Sequence, residues 1–197
     1  MKHIYTFLCL LLIGGVGQVG AFSDVDLEKL KSTNECKKCD FRGANLGGAR
    51  LRATNLAEAD LTGADLTGAD FYRANLENVN LAGANLAGAN LENVNLTGAD
   101  LAGANLIDIF MEDTNLQDAN LTGANLTKAY LESTDLTGAN LTMVNLTGAF
   151  LEGTNLKNAD LTDAVLTDAK LNWVKNLNKA ILCRTTMPDA TVDNSGC

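Results

Sequence analysis

A large apolar residue occupies every fifth position of this chain from Phe41 to Leu171, which makes 27 positions in unbroken register. Leu fills 24 of them, and Phe41, Phe71 and Met111 fill the other three. We call this position the repeat centre. The residue two places before the centre is Ala in 18 repeats, and the residue directly before it is Asn or Asp in 21. A period of five over this length limits strongly which folds the chain can adopt.

This period does not suit an α-helix that buries one face. At about 100° per residue, successive centres would be displaced by roughly 140° and would spiral around the helix axis. A short extended segment fits instead, because Ala, Asn and Leu then alternate inward, outward and inward. The second residue after the centre is Gly, Asn or Asp in 20 repeats, which suits a bend with positive φ. Extended triplets joined by regular corners predict an all-β solenoid whose coils bury Leu against their neighbours.

The repeated motif A-(D/N)-L-x-x resembles that of the pentapeptide repeat family, and the resemblance covers residues 39–173. It implies a right-handed quadrilateral β-helix with four repeats in each coil. The centre and the Ala position then face inward, and the other three positions face outward. Residues 39–173 would make about 6.75 coils, and the rod would be roughly 32 Å long at about 4.8 Å per coil.

The N-terminal residues 1–21 have the pattern of a secretory signal peptide. Lys2 precedes an apolar run, and small residues lead to Ala21, after which we place the cleavage site. The apolar run is shorter than the ~20 residues that a membrane span needs, so we expect no membrane attachment after cleavage. An uncleaved anchor is the alternative.

Both ends of the predicted rod need a cover, because exposed strand edges invite further strand pairing. In the predicted N-terminal helical cap, residues 22–38, the stretch 23–32 resembles a short amphipathic helix with Ser23 or Asp24 as its N-cap. Val25, Leu27 and Leu30 are its candidate apolar contacts. An irregular C-terminal cap, residues 174–197, follows the repeats. We expect the last coil to be covered by Trp173, Val174, Leu177, Ile181 and Leu182.

Four Cys follow the predicted cleavage site, at positions 36, 39, 183 and 197. An even number in an exported chain favours disulfides. The rod separates the two ends by roughly 32 Å, whereas a disulfide needs Cα atoms within ~7 Å. We therefore predict the pairs Cys36–Cys39 and Cys183–Cys197. A redox or metal site at Cys36 and Cys39 is the alternative, although zinc would need two more ligands at the same end.

Residues 20 apart stack on one face if four repeats make a coil, and the sequence itself supports this period. Six residues before a centre are neither Asn nor Asp, and five of them share one register: Arg50, Phe110, Tyr130, Phe150 and Lys170. Glu follows the centre in the same register at Glu92, Glu112, Glu132 and Glu152. We call Phe110, Tyr130 and Phe150 the aromatic column, and these four Glu the Glu column. The columns are either surface rings packed on each other or an interface for a partner.

Charge indicates which kinds of partner suit the chain. Like charges about 5 Å apart repel, so a cationic partner, a bound cation or raised pKa values would relieve the Glu column. The net charge of −9 disfavours direct binding to nucleic acid. The only His, His3, lies in the predicted signal peptide, and the regular repeats offer no catalytic constellation. We therefore predict a protein that is not an enzyme and needs no cofactor.

Three functional hypotheses follow. The first is an exported, periplasmic or extracellular scaffold that binds a protein partner, or a second copy of itself, through the aromatic and Glu columns. The second comes from the resemblance, since some acidic pentapeptide repeat proteins mimic DNA, bind type II topoisomerases and protect them from quinolones. Export and disulfides argue against it, because that target is cytoplasmic. The third is an ice-binding surface of outward Thr, at positions 122, 142 and 162 and at positions 127, 147 and 167.

Overall fold

The computed structural model describes residues 23–197, so the predicted signal peptide and its cleavage site lie outside the described residues. Parallel bridges pair each residue before a centre with the residue 20 positions later. The first joins Glu35 to Asn55, and the series continues without a break to Asn155 and Lys175. Four repeats therefore make one coil, and the stacked coils form a quadrilateral β-helix. The period of twenty is confirmed.

Each repeat is held by the same few backbone hydrogen bonds. The N–H of Leu81 donates to the carbonyl of Asp100 at 2.7 Å, and the N–H of Gly83 donates to that of Ala102 at 2.9 Å, both in the next coil. The N–H of Ala84 closes the corner by donating to the carbonyl of Leu81 at 3.0 Å. Because this arrangement recurs along the rod, the buried backbone polar groups find partners within the solenoid.

The corners explain the composition of the second position after the centre. Every such residue has a left-handed backbone, from Lys38 with φ of 62° to Trp173 with φ of 55°. Gly adopts this conformation freely, and Asn and Asp tolerate it better than other residues. The predicted bend with positive φ is confirmed.

The inside of the rod is filled by the centres and the Ala positions. Every centre from Phe41 to Leu166 is at most 4% exposed. At roughly 2 kcal/mol for each buried Leu, this burial is the main stabilising contribution. Some inward positions hold Thr instead of Ala, and their hydroxyls find backbone partners. That of Thr134 donates to the carbonyl of Met111 at 2.7 Å.

A short helix, α1 (Asp24–Thr33), covers the N-terminal end of the rod. Ser23 is its N-cap and accepts a hydrogen bond from the N–H of Asp26 at 3.2 Å. Leu27 and Leu30 are buried, but the expected contact of Val25 is wrong, since its side chain is exposed. Two residues along a helix turn the side chain by about 200°, which points Val25 away from the face of Leu27.

The bridges extend beyond the repeat range 39–173 that the sequence indicates. Cys36 already occupies a buried centre, and the disulfide Cys36–Cys39 spans that first corner. At the other end, Asp160 bridges Ile181 and Val165 bridges Thr186, which is 21 positions later rather than 20. A 3-10 helix at Leu177–Lys179 lies within this longer loop.

Because of this extra residue, the side chains that cover the last coil differ from the predicted ones. The extra residue places Ile181 in the outward bridging position, where it is 43% exposed, and turns Leu182 inward. Trp173 does not cover the coil either, because it lies at a corner and is 84% exposed. Val174 and Leu177 are partly buried against the core, as expected.

The tail forms a small antiparallel hairpin of β1 (Thr185–Thr186) and β2 (Val192–Asp193). The structure contains the second predicted disulfide, Cys183–Cys197, which ties the tail to the start of this hairpin. Among residues 23–197, no helix is both long and apolar enough to cross a membrane.

Two adjacent glycines test the corner geometry. Gly48 has φ of +65°, and a Cβ added there meets no atom within 4 Å. Gly48→Ala should therefore lower the free energy of unfolding by about 1 kcal/mol through the backbone alone. Gly47 lies outside the left-handed region and has room for a Cβ, so Gly47→Ala should be neutral or stabilising by up to about 1 kcal/mol. Urea unfolding of both variants measures the difference, and equal effects would contradict the proposed role of the corner.

Candidate interaction face

The aromatic column forms a continuous stack on one flat face of the rod. The ring centroids of Phe110 and Tyr130 lie 5.0 Å apart with planes at 7°, and those of Tyr130 and Phe150 have the same spacing and angle. The rings are therefore packed on each other, as the first of the two alternatives from the sequence has it. Ile109 and Met111 remain buried on either side of Phe110, which is 37% exposed. The column therefore decorates the solenoid without disturbing its core.

The rings replace a hydrogen-bond acceptor that the sequence pattern did not reveal. Where Asn or Asp precedes the centre, its side chain accepts from the N–H two residues later, as Asn90 does from Glu92 at 2.9 Å. A Phe or Tyr in that place has no such acceptor. The carboxyls of Glu112 and Glu132 instead accept from their own backbone N–H groups. At Glu112 and Glu132 the carboxyl therefore takes the place of the acceptor that the ring removes. Glu92, by contrast, follows Asn90, which keeps that role.

The Glu column holds carboxylates in an unfavourable environment. One oxygen, Oε2, of each of Glu112, Glu132 and Glu152 is buried and has no hydrogen-bond partner among residues 23–197. Burial raises the pKa of Glu112, and the neighbouring charges of Glu92, Glu132 and Asp113 raise it further. Burial also raises the pKa of Glu132, with a contribution from Glu152. Raised pKa values were one of the three expected ways to relieve the repulsion.

Cations are absent from the middle of the rod. Residues 74–127 contain no Lys or Arg and seven acidic residues: Glu77, Glu92, Asp100, Asp108, Glu112, Asp113 and Asp118. Nearer the N-terminus, Arg52 pairs with Asp70 at 3.2 Å. The guanidinium groups of Arg52 and Arg73 also lie 4.7 and 5.0 Å from the ring centroid of Tyr72. These two guanidinium groups, on the N-terminal side of Glu92, therefore lie against Tyr72.

A shallow groove of about 450 Å³ follows the other side of the aromatic column. Tyr130, Phe150, Thr147 and Gly148 line it, together with Lys128 and further residues of that corner. The aromatic column is thus bordered by carboxylates on one side and by a groove of mixed polarity on the other. This arrangement can receive an extended segment that carries both cationic and apolar groups.

The cysteines near the N-terminus do not form a metal site in this state. Asp26, Cys36 and Cys39 place their potential ligand atoms within 4.8 Å of one another. The two sulfurs are joined in a disulfide and are therefore not thiolate ligands. Oδ2 of Asp26 accepts a hydrogen bond from the N–H of Asp40 at 2.9 Å, which ties α1 to the first coils. The geometry supports a structural staple.

A family model of pentapeptide repeats (8 copies) matches residues 35–73, 74–113, 114–153 and 139–175. The chain belongs to the pentapeptide repeat family. Its fold is the right-handed quadrilateral β-helix of that family. A search of curated proteins finds no match to the chain.

Several solved structures of pentapeptide repeat proteins are similar to it. HetL, which is involved in heterocyst differentiation regulation in the cyanobacterium Nostoc, shares 32% identity over 81% of this chain and 85% of that chain, with a TM-score of 0.43. A protein of the Arabidopsis thaliana thylakoid lumen shares 32% identity over 65% and 72%, with a TM-score of 0.34. QnrB1, a plasmid-mediated fluoroquinolone resistance protein, shares 22% identity over 74% and 78%, with a TM-score of 0.52. The last comparison shows a common fold alone.

The raised pKa values give a pH-dependent prediction. Stability from such a carboxyl is fully present below its unfolded pKa, about 4.3, and is lost as the pH rises through the higher folded value. The double variant Glu112→Gln, Glu132→Gln should therefore be more stable than the wild type at about pH 7, with the difference shrinking toward about pH 4. Urea unfolding across this range is the measurement.

Glu77→Gln provides the matched control, because Glu77 occupies the same repeat position on another face and is exposed. Its substitution should change stability little at any pH. If the double variant showed no gain at neutral pH, the Glu column would not strain the folded protein.

Proposed function

We propose that this protein is a non-catalytic scaffold that acts outside the cytoplasm and binds a cationic segment of a partner protein. The binding site would be the aromatic column and the Glu column, which together we call the interaction face. The observation that carries the proposal is the row of buried, unpartnered carboxylate oxygens of Glu112, Glu132 and Glu152 beside the stacked rings. Cationic groups would supply the partners that the free protein lacks.

The interaction face is costly for the isolated fold. Its carboxylates repel one another, and Glu112, Glu132 and Glu152 each bury an oxygen that has no hydrogen-bond partner among residues 23–197. Other faces of the same rod avoid both costs by keeping Asn or Asp before the centre, as in the bridged series Asn80, Asp100, Asn120 and Asn140. A feature that destabilises the free protein and is relieved by a cation is typical of a binding site.

Charge favours a cationic partner over a second copy of this chain. The middle of the rod, residues 74–127, is purely acidic in its charged groups. Two copies aligned parallel and in register across the interaction face would bring these acidic coils together, and like charges opposed across an interface disfavour association. A Lys- and Arg-bearing segment would instead be attracted to the same coils.

Two features support action outside the cytoplasm. Residues 1–21 have the pattern of a secretory signal peptide. Both Cys pairs of the described chain are joined as disulfides, which persist in oxidising compartments. A scaffold role fits the family, whose repeats build a filled rod rather than a cleft.

A defined peptide tests the interaction face. Hexa-lysine should bind the wild type, and the triple variant Glu112→Gln, Glu132→Gln, Glu152→Gln should weaken binding at least tenfold in calorimetric titration. The charge-matched control Glu77→Gln, Asp100→Asn, Asp118→Asn removes as many carboxylates from other faces and should weaken binding much less. Equal losses of affinity in the two triple variants would show that binding depends only on net charge, which would contradict the proposal.

The rings have their own test. Phe110→Asn, Tyr130→Asn, Phe150→Asn restores the residue that most repeats carry, so this variant should fold at least as stably as the wild type. Its affinity for a peptide of alternating Lys and Leu should fall, because the apolar contact is lost. Unchanged affinity would remove the rings from the proposed site.

A DNA mimic that binds a type II topoisomerase and protects it from quinolones is the second candidate, and the acidic middle of the rod favours it. The disulfides and the signal-like N-terminus count against it. A gyrase supercoiling assay with a quinolone distinguishes the two, since restored supercoiling would support the mimic. The ice-binding hypothesis finds little support, because Thr122, Thr127, Thr142 and Thr147 donate their hydroxyls to the neighbouring Asn side chains.

A further inference from the structure

We propose that the interaction face continues to Trp173 at the C-terminal end of the rod, and that this indole is the anchor for an Arg-bearing segment of the partner. The inference rests on the proposed function and adds to it an aromatic residue outside the aromatic column. It also specifies Arg as the partner's main contact residue.

Trp173 stands one coil beyond the last Glu of the Glu column. The side-chain amide of its neighbour Asn172 donates to Oε1 of Glu152 at 3.4 Å, and the N–H of Gly153 donates to the carbonyl of Asn172 at 3.3 Å. Lys170 bridges Phe150 in the same register. The corner that carries Trp173 therefore stacks directly on the corner that carries Glu152.

The fold gains little from a Trp at this corner. Trp173 is the only Trp of the chain, and 84% of its surface is exposed. Its backbone is left-handed, with φ of 55°, at a position where most repeats have Gly, Asn or Asp. A bulky residue in this backbone conformation destabilises the fold, and here no burial of apolar surface offsets that cost. Gly153, at the same position of the coil below, has no side chain that could pack against the indole.

The chemistry of an exposed indole next to carboxylates suits arginine. Trp offers the strongest cation–π surface of the aromatic side chains, and it is the residue most enriched among interface hot spots. A guanidinium can stack on a ring while its N–H groups pair with a carboxylate. The chain shows this combination in its own structure, where Arg52 lies over Tyr72 and pairs with Asp70.

Neighbouring lysines orient such a segment. Lys170 and Lys175 stand before and after Trp173 on the two flat faces that meet at its corner. Each ammonium group repels a guanidinium on its own side of the corner and leaves the side of Glu152 open to it. The partner's arginine would then reach the indole from the side of Glu152.

The single Trp makes the test direct. Titration with hexa-arginine should shift or quench the intrinsic fluorescence, whereas hexa-glutamate should leave it unchanged. Trp173→Asn should weaken hexa-arginine binding about tenfold in calorimetric titration. Asn suits a left-handed corner, so this variant should fold as well as the wild type.

Met143→Asn is the matched control, because Met143 is also an exposed apolar residue at a left-handed corner, with φ of 57°, on the opposite side of the coil. Its binding should equal that of the wild type. If Trp173→Asn and Met143→Asn both bound like the wild type, this inference would be overturned. If the triple Gln variant of the Glu column still lost binding, the proposed function would stand without this inference. If that variant also bound like the wild type, the proposed function would be overturned as well.

Discussion

The burial of one Leu in every five residues against the coils above and below is the interaction on which the whole rod depends. A single coil cannot hide its own centres, so each coil is stable only because its neighbours cover it. This requirement fixes the inward positions closely and leaves the outward ones almost free. Outward side chains can therefore be replaced, and can form a binding surface, with little effect on the core. The exposed Phe110 between the buried Ile109 and Met111 is an example.

The outward positions are free only within limits set by the corners. Most repeats use an Asn or Asp side chain to accept from the backbone of the following corner, and several amides also bond along the rod, as Asn95 does to Asn75 at 3.2 Å. An aromatic ring breaks this local network. At Glu112 and Glu132, which follow the rings, a carboxyl one position past the centre serves the same corner. The two columns are therefore one structural unit, whatever partner they meet.

The sequence predicts the regular part of the molecule well and its ends less well. The period, the inward and outward positions and the stacked column follow from the spacing, because each coil repeats the same geometry. Both Cys pairs follow from the rod length that the resemblance to the family implies. The ends lack that constraint. One extra residue between Lys175 and Ile181 changes which apolar side chain turns inward, and hydropathy does not reveal it. Hydropathy alone also suggests that Trp173 covers the core. Its place two residues after the centre Leu171 puts it at an exposed corner instead. The acceptor role of Asn and the unpartnered oxygens of Glu112 and Glu132 also required coordinates.

The four-repeat coil has a consequence for how such a rod can change length. Adding or deleting a single repeat would rotate everything beyond it by a quarter turn, so a side chain that faced one side would face the next. Only the addition or deletion of four repeats, one full coil, keeps each later side chain on the same face and moves it along the rod by one coil. A rod that carries a marked side, such as Phe110 to Phe150, is therefore expected to grow in steps of 20 residues, whereas an unmarked rod can vary in steps of five.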